Sequence, residues 1–141
     1  MLALARDRTK GAHPYLVTPE HTRIAREILG PRSLLLVEQK VCLTTDPDKA
    51  RQLAADVLKT YLPWPNYRNN WLRLGFTEED LSGLGSPRFL DAMVAWGTAD
   101  TLKKRINEHL SAGADHVCIQ ALHPAGNGKV DWKVLELLAD I

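Results

Sequence analysis

The sequence predicts an α/β fold in which parallel strands alternate with helices, and three observations lead to this class. Apolar, strand-like runs at residues 12–17, 33–45 and 116–122 are separated by segments with helical periodicity. Residues that favour helix N-termini, Thr18 and Asp46, follow the first two runs closely, and each is followed by a proline. Strands and helices that alternate in this way require parallel strands joined by right-handed crossovers.

The first half of the chain contains two strand-to-helix units. Residues 1–10 are predicted to form a helix that precedes the first strand. A helix that begins after Thr18 ends at Gly30, where a proline follows the glycine. After the second strand, Asp46 opens a helix that continues to Tyr61, with apolar residues on one face.

An insertion over residues 62–76 interrupts this regular pattern. It contains two prolines and three asparagines without helical periodicity, so the sequence predicts an irregular segment. Two short helices are expected next, one capped by Thr77 and one that runs from Ser86 to Gly97. Insertions of this kind often carry specificity.

A helix from Thr98 to Gly113, the last strand and a helix over residues 131–141 complete the prediction. Only three strands are visible in the whole chain. Parallel sheets need helices on both faces and normally belong to larger doubly wound or barrel folds. We therefore interpret residues 1–141 as a single domain that forms part of such a sheet.

Composition and charge exclude several classes of function. The hydrophobic fraction of 45% is ordinary, and a net charge of +1 creates no field that would attract nucleic acid or anionic lipid. Cys42 and Cys118 lie in apolar runs, so both are predicted to be buried thiols without metal-ligand spacing. With no leader peptide or membrane span recognised, we expect a cytoplasmic protein. No motif of hydrolytic, zinc or phosphate-loop chemistry is present.

Four segments together resemble a known family. They are GAHPYLVTPEHT, WPNYRNNWLRLGFTEEDL, DAMVAWG and HLSAGADHVCIQ. In combination they are similar to the luciferase-like monooxygenase superfamily, and most of all to its coenzyme F-420-dependent oxidoreductases. The resemblance covers roughly residues 1–122 and corresponds to the family's region from the fifth barrel helix through the eighth strand.

This resemblance implies a partial (β/α)8 TIM barrel, namely the C-terminal half, with about three parallel strands and covering helices. It also implies that coenzyme F-420, a deazaflavin, or alternatively flavin mononucleotide, binds in the carboxyl-terminal mouth and exchanges hydride with a small-molecule substrate. The family's first five strands have no counterpart here, and the catalytic residues that they supply are missing with them. We therefore expect the chain to be inactive without an N-terminal half, and its catalytic residues are unknown.

Three candidate binding residues follow the first strand, where the loops of a barrel line the active mouth. His13 and Tyr15 alternate with apolar neighbours and are expected to face the barrel interior, although a hydrogen-bonded core histidine is the alternative. Thr18 lies at a helix N-terminus, which suits a phosphate or carboxylate group. Simple helix capping is the favoured interpretation of this threonine, because threonine is common at that position.

The insertion supplies four further candidates, Asn66, Tyr67, Asn69 and Asn70. They combine amide hydrogen-bonding groups with an aromatic ring, as a pocket for a polar ligand needs. Asparagines also favour turns for local backbone reasons, which is the alternative interpretation. The interleaved aromatic and cationic residues of this stretch could stack single-stranded bases, but the nearly neutral chain disfavours that reading.

Polar residues also interrupt the second and third strand-like runs. We interpret them as solvated strand ends, with a charge placed near a cofactor as the alternative. They are Glu38, Gln39, Lys40, Gln120 and His123.

The sequence therefore supports two interpretations of the function of this chain. The first is a C-terminal part of a deazaflavin- or flavin-dependent oxidoreductase that works with a complementary N-terminal half. The second is a non-catalytic half-barrel that self-associates, since a second copy, as in a homodimer, can cover exposed strand edges and apolar helix faces. Neither interpretation includes a metal ion, a nucleic acid or a membrane.

Overall fold

A computed structural model of the chain describes residues 1–126 and 128–139. This part contains seven helices and four strands. In chain order they are α1 Leu2–Arg8, β1 Gly11–Ala12, α2 Pro19–Leu29, β2 Leu34–Cys42, α3 Pro47–Leu58, α4 Pro65–Arg73, α5 Pro87–Met93, β3 Val94–Trp96, α6 Ala99–Ser111, β4 His116–Ala121 and α7 Trp132–Leu138.

The strand β2 is the centre of a parallel four-stranded sheet. One edge of β2 pairs with β4 over six residues, from Leu36 opposite His116 to Val41 opposite Ala121. The other edge carries β1 near its start and β3 near its end. The three strands that the sequence predicts therefore lie side by side in the order β1, β2, β4, although the first covers only Gly11–Ala12 instead of residues 12–17. The prediction of a parallel sheet with covering helices is confirmed.

The structure corrects the sequence-based prediction most strongly in the insertion. Residues 65–73 form the helix α4 instead of an irregular segment. Pro65 occupies the first helical position, where its missing N–H needs no partner. Trp71 is fully buried and anchors the helix to the rest of the chain, so tertiary packing overrides the weak helical propensity of the asparagines.

The helix expected after Thr77 does not form, and residues 78–84 are turns and a bend. Thr77 and Asp80 exchange hydrogen bonds as in a capping box, with Asp80 N donating to Thr77 Oγ1 over 3.2 Å and Thr77 N donating to Asp80 Oδ2 over 3.0 Å. Gly83 and Gly85 follow with φ angles of 58° and 92°, which a right-handed helix does not accommodate.

The strand β3 is an addition to the three predicted strands. The helix α5 ends at Met93 and not at Gly97, because Val94 and the next two residues pair with the end of β2, with Val94 opposite Lys40. Long-range pairing of this kind leaves no signal in the local sequence.

Two apolar clusters hold the fold together. One fills the space between β2, with Leu35, Val37 and Val41, and the helices α2, α6 and α7. The other joins α3, α4 and α5 around Trp71 and Phe89. Cys42 is buried as predicted, whereas Cys118 is exposed, since β4 presents the face that carries it to solvent. The predicted final helix is seen as α7, and the predicted residues 140–141 lie outside the described residues.

Candidate functional site

A cavity of about 430 Å³ opens where the chain leaves β1. Its wall is built by α1, by the segment between β1 and α2, and by α4. Five of the seven predicted site residues line it together, namely His13, Tyr15, Asn66, Tyr67 and Asn70.

The helical form of α4 decides which residues of the insertion reach this cavity. Asn66 and Asn70 are four residues apart and share one helix face with Tyr67. Asn69 is exposed and does not line the cavity, although the sequence predicts it as a site residue. Thr18 does not line it either, because its side chain caps α2 by accepting a hydrogen bond from His21 N over 3.3 Å.

The segment after β1 holds a backbone conformation that is rare for leucine. Leu16 has a φ of 54° and lies between the cavity residues Tyr15 and Val17. Leu16 N donates to Glu38 Oε2 over 3.2 Å, and Trp71 Nε1 donates to the Leu16 carbonyl over 3.0 Å. These two contacts from β2 and α4 fix the conformation, and backbone of this kind concentrates at functional sites.

A buried ion pair lies beside the cavity. Lys40 and Glu38 are 2% and 1% exposed, and Lys40 Nζ lies 3.0 Å from Glu38 Oε1. Lys40 Nζ also donates to Tyr15 OH over 2.7 Å and to Gln120 Oε1 over 2.8 Å, so its three N–H donors have three acceptors. The prediction that these residues are solvated strand ends is wrong for β2, because Glu38, Gln39 and Lys40 are all buried.

Tyr15 links this ion pair to the cavity. Its hydroxyl lies 3.4 Å from Tyr61 OH, and the rings of Tyr61 and Tyr67 are 5.1 Å apart. The hydrogen bond between Tyr61 and Tyr15 raises the pKa of Tyr61, and burial raises the pKa of Tyr67. Both phenols therefore stay protonated at neutral pH and are available as neutral hydrogen-bond donors.

Two histidines at the cavity have different surroundings. His13 Nδ1 donates to the Leu36 carbonyl over 2.7 Å, which fixes its ring against β2. His21, which the sequence analysis did not select, lies in the first turn of α2, and its Nδ1 is buried with no hydrogen-bond partner among residues 1–126 and 128–139. Burial, together with the nearby Arg73 guanidinium, lowers the pKa of His21. The only sequence signal for His21 is its position three residues after the helix cap.

A separate polar cluster lies on the opposite face of β2. Gln39 is buried there, and its Oε1 accepts from His109 Nε2 over 3.0 Å, while Thr22 Oγ1 donates to His109 Nδ1 over 2.8 Å. Burial lowers the pKa of His109 to about 4, so the ring is neutral. Because every polar atom of the ring is bonded, we assign this cluster to packing between β2, α2 and α6.

Within residues 1–126 and 128–139, no group of three or more histidine, cysteine or acidic side chains is arranged to hold a metal ion. In the same part of the chain, no helix has both the length and the apolar character that crossing a membrane requires.

The sheet order, the helical cover and the cavity after β1 define part of an α/β barrel. Comparison with solved structures identifies a protein that contains this arrangement, the coenzyme F420-dependent tetrahydromethanopterin reductase from Methanopyrus kandleri. The two chains share 19% sequence identity and superpose with a TM-score of 0.59 over 98% of this chain and 46% of that one. The chain thus spans less than half the length of that reductase. No protein-family model matches, and no curated protein matches in sequence.

A likeness at 19% identity shows the fold. It confirms the predicted fold, part of an α/β barrel.

Proposed function

We propose that the chain is the C-terminal part of a deazaflavin-dependent oxidoreductase and supplies one wall of its ligand-binding mouth. The observation that carries the proposal is the cavity after β1, in which His13 and Tyr15 meet Asn66, Tyr67 and Asn70 of the insertion. The shared fold with part of an F420-dependent reductase supports the same assignment. Flavin mononucleotide is the alternative cofactor.

The residues of the cavity fit a flat, polar aromatic ring. Tyr15 and Tyr67 provide aromatic surface, and the amides of Asn66 and Asn70 can donate to or accept from the polar edge of a ring. A deazaflavin supplies hydride chemistry when it is bound. The residues of this chain would bind and orient the ring, and the remaining strands of the mouth would come from a complementary N-terminal half.

Tyr15 is the residue best placed to hold a proton near a bound ligand. Its hydroxyl accepts from Lys40 Nζ over 2.7 Å, so its own proton is directed toward Gln120 Oε1, 3.2 Å away, or toward Tyr61. The buried ion pair thereby fixes the orientation of the phenol at the cavity wall.

A fluorescence titration with the deazaflavin cofactor tests the proposal. The purified chain is titrated alone and then with a separately supplied N-terminal half of a related barrel. We expect binding at micromolar concentrations in the presence of the N-terminal half, with weaker or equal binding by the chain alone. Absence of binding under both conditions contradicts the proposed function.

Asparagine variants of α4 provide a matched control for this titration. Asn66→Ala and Asn70→Ala each remove an amide from the cavity and are expected to weaken cofactor binding by about fivefold to tenfold. Asn69→Ala makes the same chemical change on the exposed side of the helix and is expected to leave the affinity unchanged.

The open face of β4 favours a second candidate, a non-catalytic half-barrel that self-associates. His116, Cys118 and Gln120 alternate along β4 and are all exposed. Within the described residues, β4 pairs with another strand only at its β2 edge. A second copy of the chain could cover this face, and sedimentation at several concentrations distinguishes a homodimer from a monomer that waits for an N-terminal half.

A further inference from the structure

The cavity after β1 has a neighbour that the sequence analysis did not anticipate. A second cavity of about 470 Å³ lies between α1, α2 and α4. The two cavities share Met1, Leu2, His21, Asn70 and Arg73 in their walls. They therefore meet at a polar group formed by His21, Asn70 and Arg73.

The walls of the two cavities contain a positively charged side chain, Arg73, and no negatively charged one. Neither cavity has an aspartate or glutamate in its wall. Seven other arginines of the described residues form ion pairs with carboxylates, whereas no carboxylate pairs with Arg73. In the part of the chain that the structure describes, the guanidinium makes one hydrogen bond, which is long, with Arg73 Nη2 donating to Asn70 Oδ1 over 3.4 Å. A positive charge without a partner anion thus stands where the two cavities join.

His21 provides an independent observation at the same place. Its buried Nδ1 has no hydrogen-bond partner in the described part of the chain, although buried polar atoms are nearly always bonded. A ligand oxygen could supply that partner if the ring presents an Nδ1 proton. An anionic group with oxygen acceptors would therefore supply a partner both to the imidazole Nδ1 and to the guanidinium.

We propose that Arg73, His21 and Asn70 form a subsite for the anionic group of a small organic ligand, a carboxylate or a phosphate. Such oxygens accept charge-assisted hydrogen bonds from a guanidinium and neutral ones from an imidazole or an amide. The inference rests on the proposed function and deepens it, because it names the chemical class of ligand that binds in the cavity. The ligand's uncharged part would then extend toward Tyr15 and Tyr67.

The test consists of two NMR titrations of the full chain, one with inorganic phosphate and one with glutarate. Both are carried out at constant ionic strength and without deazaflavin. We expect saturable shifts of the His21 ring and Asn70 amide signals, with dissociation constants of about 1 to 10 mM. Binding of phosphate alone identifies the subsite as one for phosphate groups, binding of glutarate alone as one for carboxylates, and either supports the proposal. Shifts that stay linear for both anions to about 100 mM overturn it.

Two arginine variants separate a built subsite from general charge attraction. Arg73→Gln is expected to weaken binding of the anion by about fivefold or more. Arg32→Gln removes the same charge from another exposed arginine that has no carboxylate partner in the described residues, and should leave the affinity unchanged. Equal weakening by both variants overturns the proposal. Amide spectra of both variants establish that the fold is retained.

The outcome is separable from that of the cofactor titration. Anion binding that depends on Arg73, together with no deazaflavin binding under either condition, retains the subsite and removes the oxidoreductase assignment. Deazaflavin binding without any anion binding at Arg73 retains the assignment and removes the subsite.

Discussion

At the scale of single residues, the buried pair of Lys40 and Glu38 has the largest energetic consequence. Burial removes water from both ions, which costs free energy. This cost is offset by the attraction between the two charges and by the hydrogen bonds of Lys40 to Tyr15 and Gln120. Removing one partner leaves the other charge buried and uncompensated. The pair therefore acts as a unit that keeps Tyr15 in place at the cavity.

We expect Glu38→Leu to lower the free energy of unfolding by about 3–5 kcal/mol, because it leaves the Lys40 ammonium without its anion. The double variant Glu38→Leu/Lys40→Met should recover most of this loss. Lys59→Met is the control, since Lys59 and Asp56 form an exposed pair whose removal changes stability by less than about 1 kcal/mol. Urea unfolding measures all four proteins. A double variant that is no more stable than Glu38→Leu would show that the pair does not act as a unit.

His109 makes stability depend on pH. Its pKa is about 4 in the folded protein and 6.5 in the unfolded chain, so the unfolded state binds the proton first as the pH falls. The contribution of the neutral His109 ring to the free energy of unfolding is fully present above pH 6.5. It is lost as the pH falls from that value to about 4, and the total loss is about 3 kcal/mol. Unfolding at a series of pH values checks this. His109→Gln should flatten the pH dependence in this window, whereas His116→Gln, at an exposed position, should not.

At the scale of elements, α4 links the insertion to the sheet. Its asparagines and prolines obscure the helix in the sequence, but Trp71 lies in the aromatic cluster and donates to the Leu16 carbonyl over 3.0 Å. This one contact connects α4 to the strained residue beside Tyr15. Of the four α4 residues that the sequence predicts, Asn66, Tyr67 and Asn70 line the cavity and Asn69 does not. The predicted local structure is wrong, because the helix depends on packing that only the assembled fold provides.

Trp71→Phe tests this link. The change removes the indole donor and leaves the buried Leu16 carbonyl without that partner, so we expect a loss of about 1–3 kcal/mol in the free energy of unfolding. It should also broaden or shift the amide signals of Tyr15 and Val17. Trp132→Phe is the matched control, because Trp132 is 70% exposed. Equal effects from the two substitutions would argue against the anchoring role of Trp71.

At the scale of the whole molecule, the sheet is covered on one face and only partly on the other. The helices α2, α6 and α7 pack on the face with Val37 and Val41. On the other face α3, α4 and α5 pack together with Val94 of β3, whereas His116, Cys118 and Gln120 of β4 are exposed. An open face next to an unpaired strand edge is the physical basis for expecting a partner, either a second copy or an N-terminal half.

The two cysteines report on this face without any change to the protein. Cys118 is exposed on the open face, while burial raises the pKa of the Cys42 thiol. We expect a thiol reagent at neutral pH to label Cys118 at least about tenfold faster than Cys42. Cys118→Ser should abolish the fast phase. Slower labelling of Cys118 as the protein concentration rises would indicate that copies associate through this face, and an unchanged rate would contradict self-association.

The sequence by itself determined the parallel α/β arrangement, three of the four strands, and five of the residues that line the cavity, namely His13, Tyr15, Asn66, Tyr67 and Asn70. It could do so because these features depend on local periodicity, helix caps and the positions where strands end. The caps at Thr18, Asp46 and Ser86 all form as predicted.

Only the tertiary structure decided that α4 is a helix, that β3 joins β2, and that Glu38 and Lys40 are buried. It also brought Arg73 and His21 together from α4 and α2, which are far apart in the sequence. The physical reason is the same in each case. Burial, long-range strand pairing and the meeting of charges depend on which distant segments pack against one another, and a single local stretch of sequence does not contain that information.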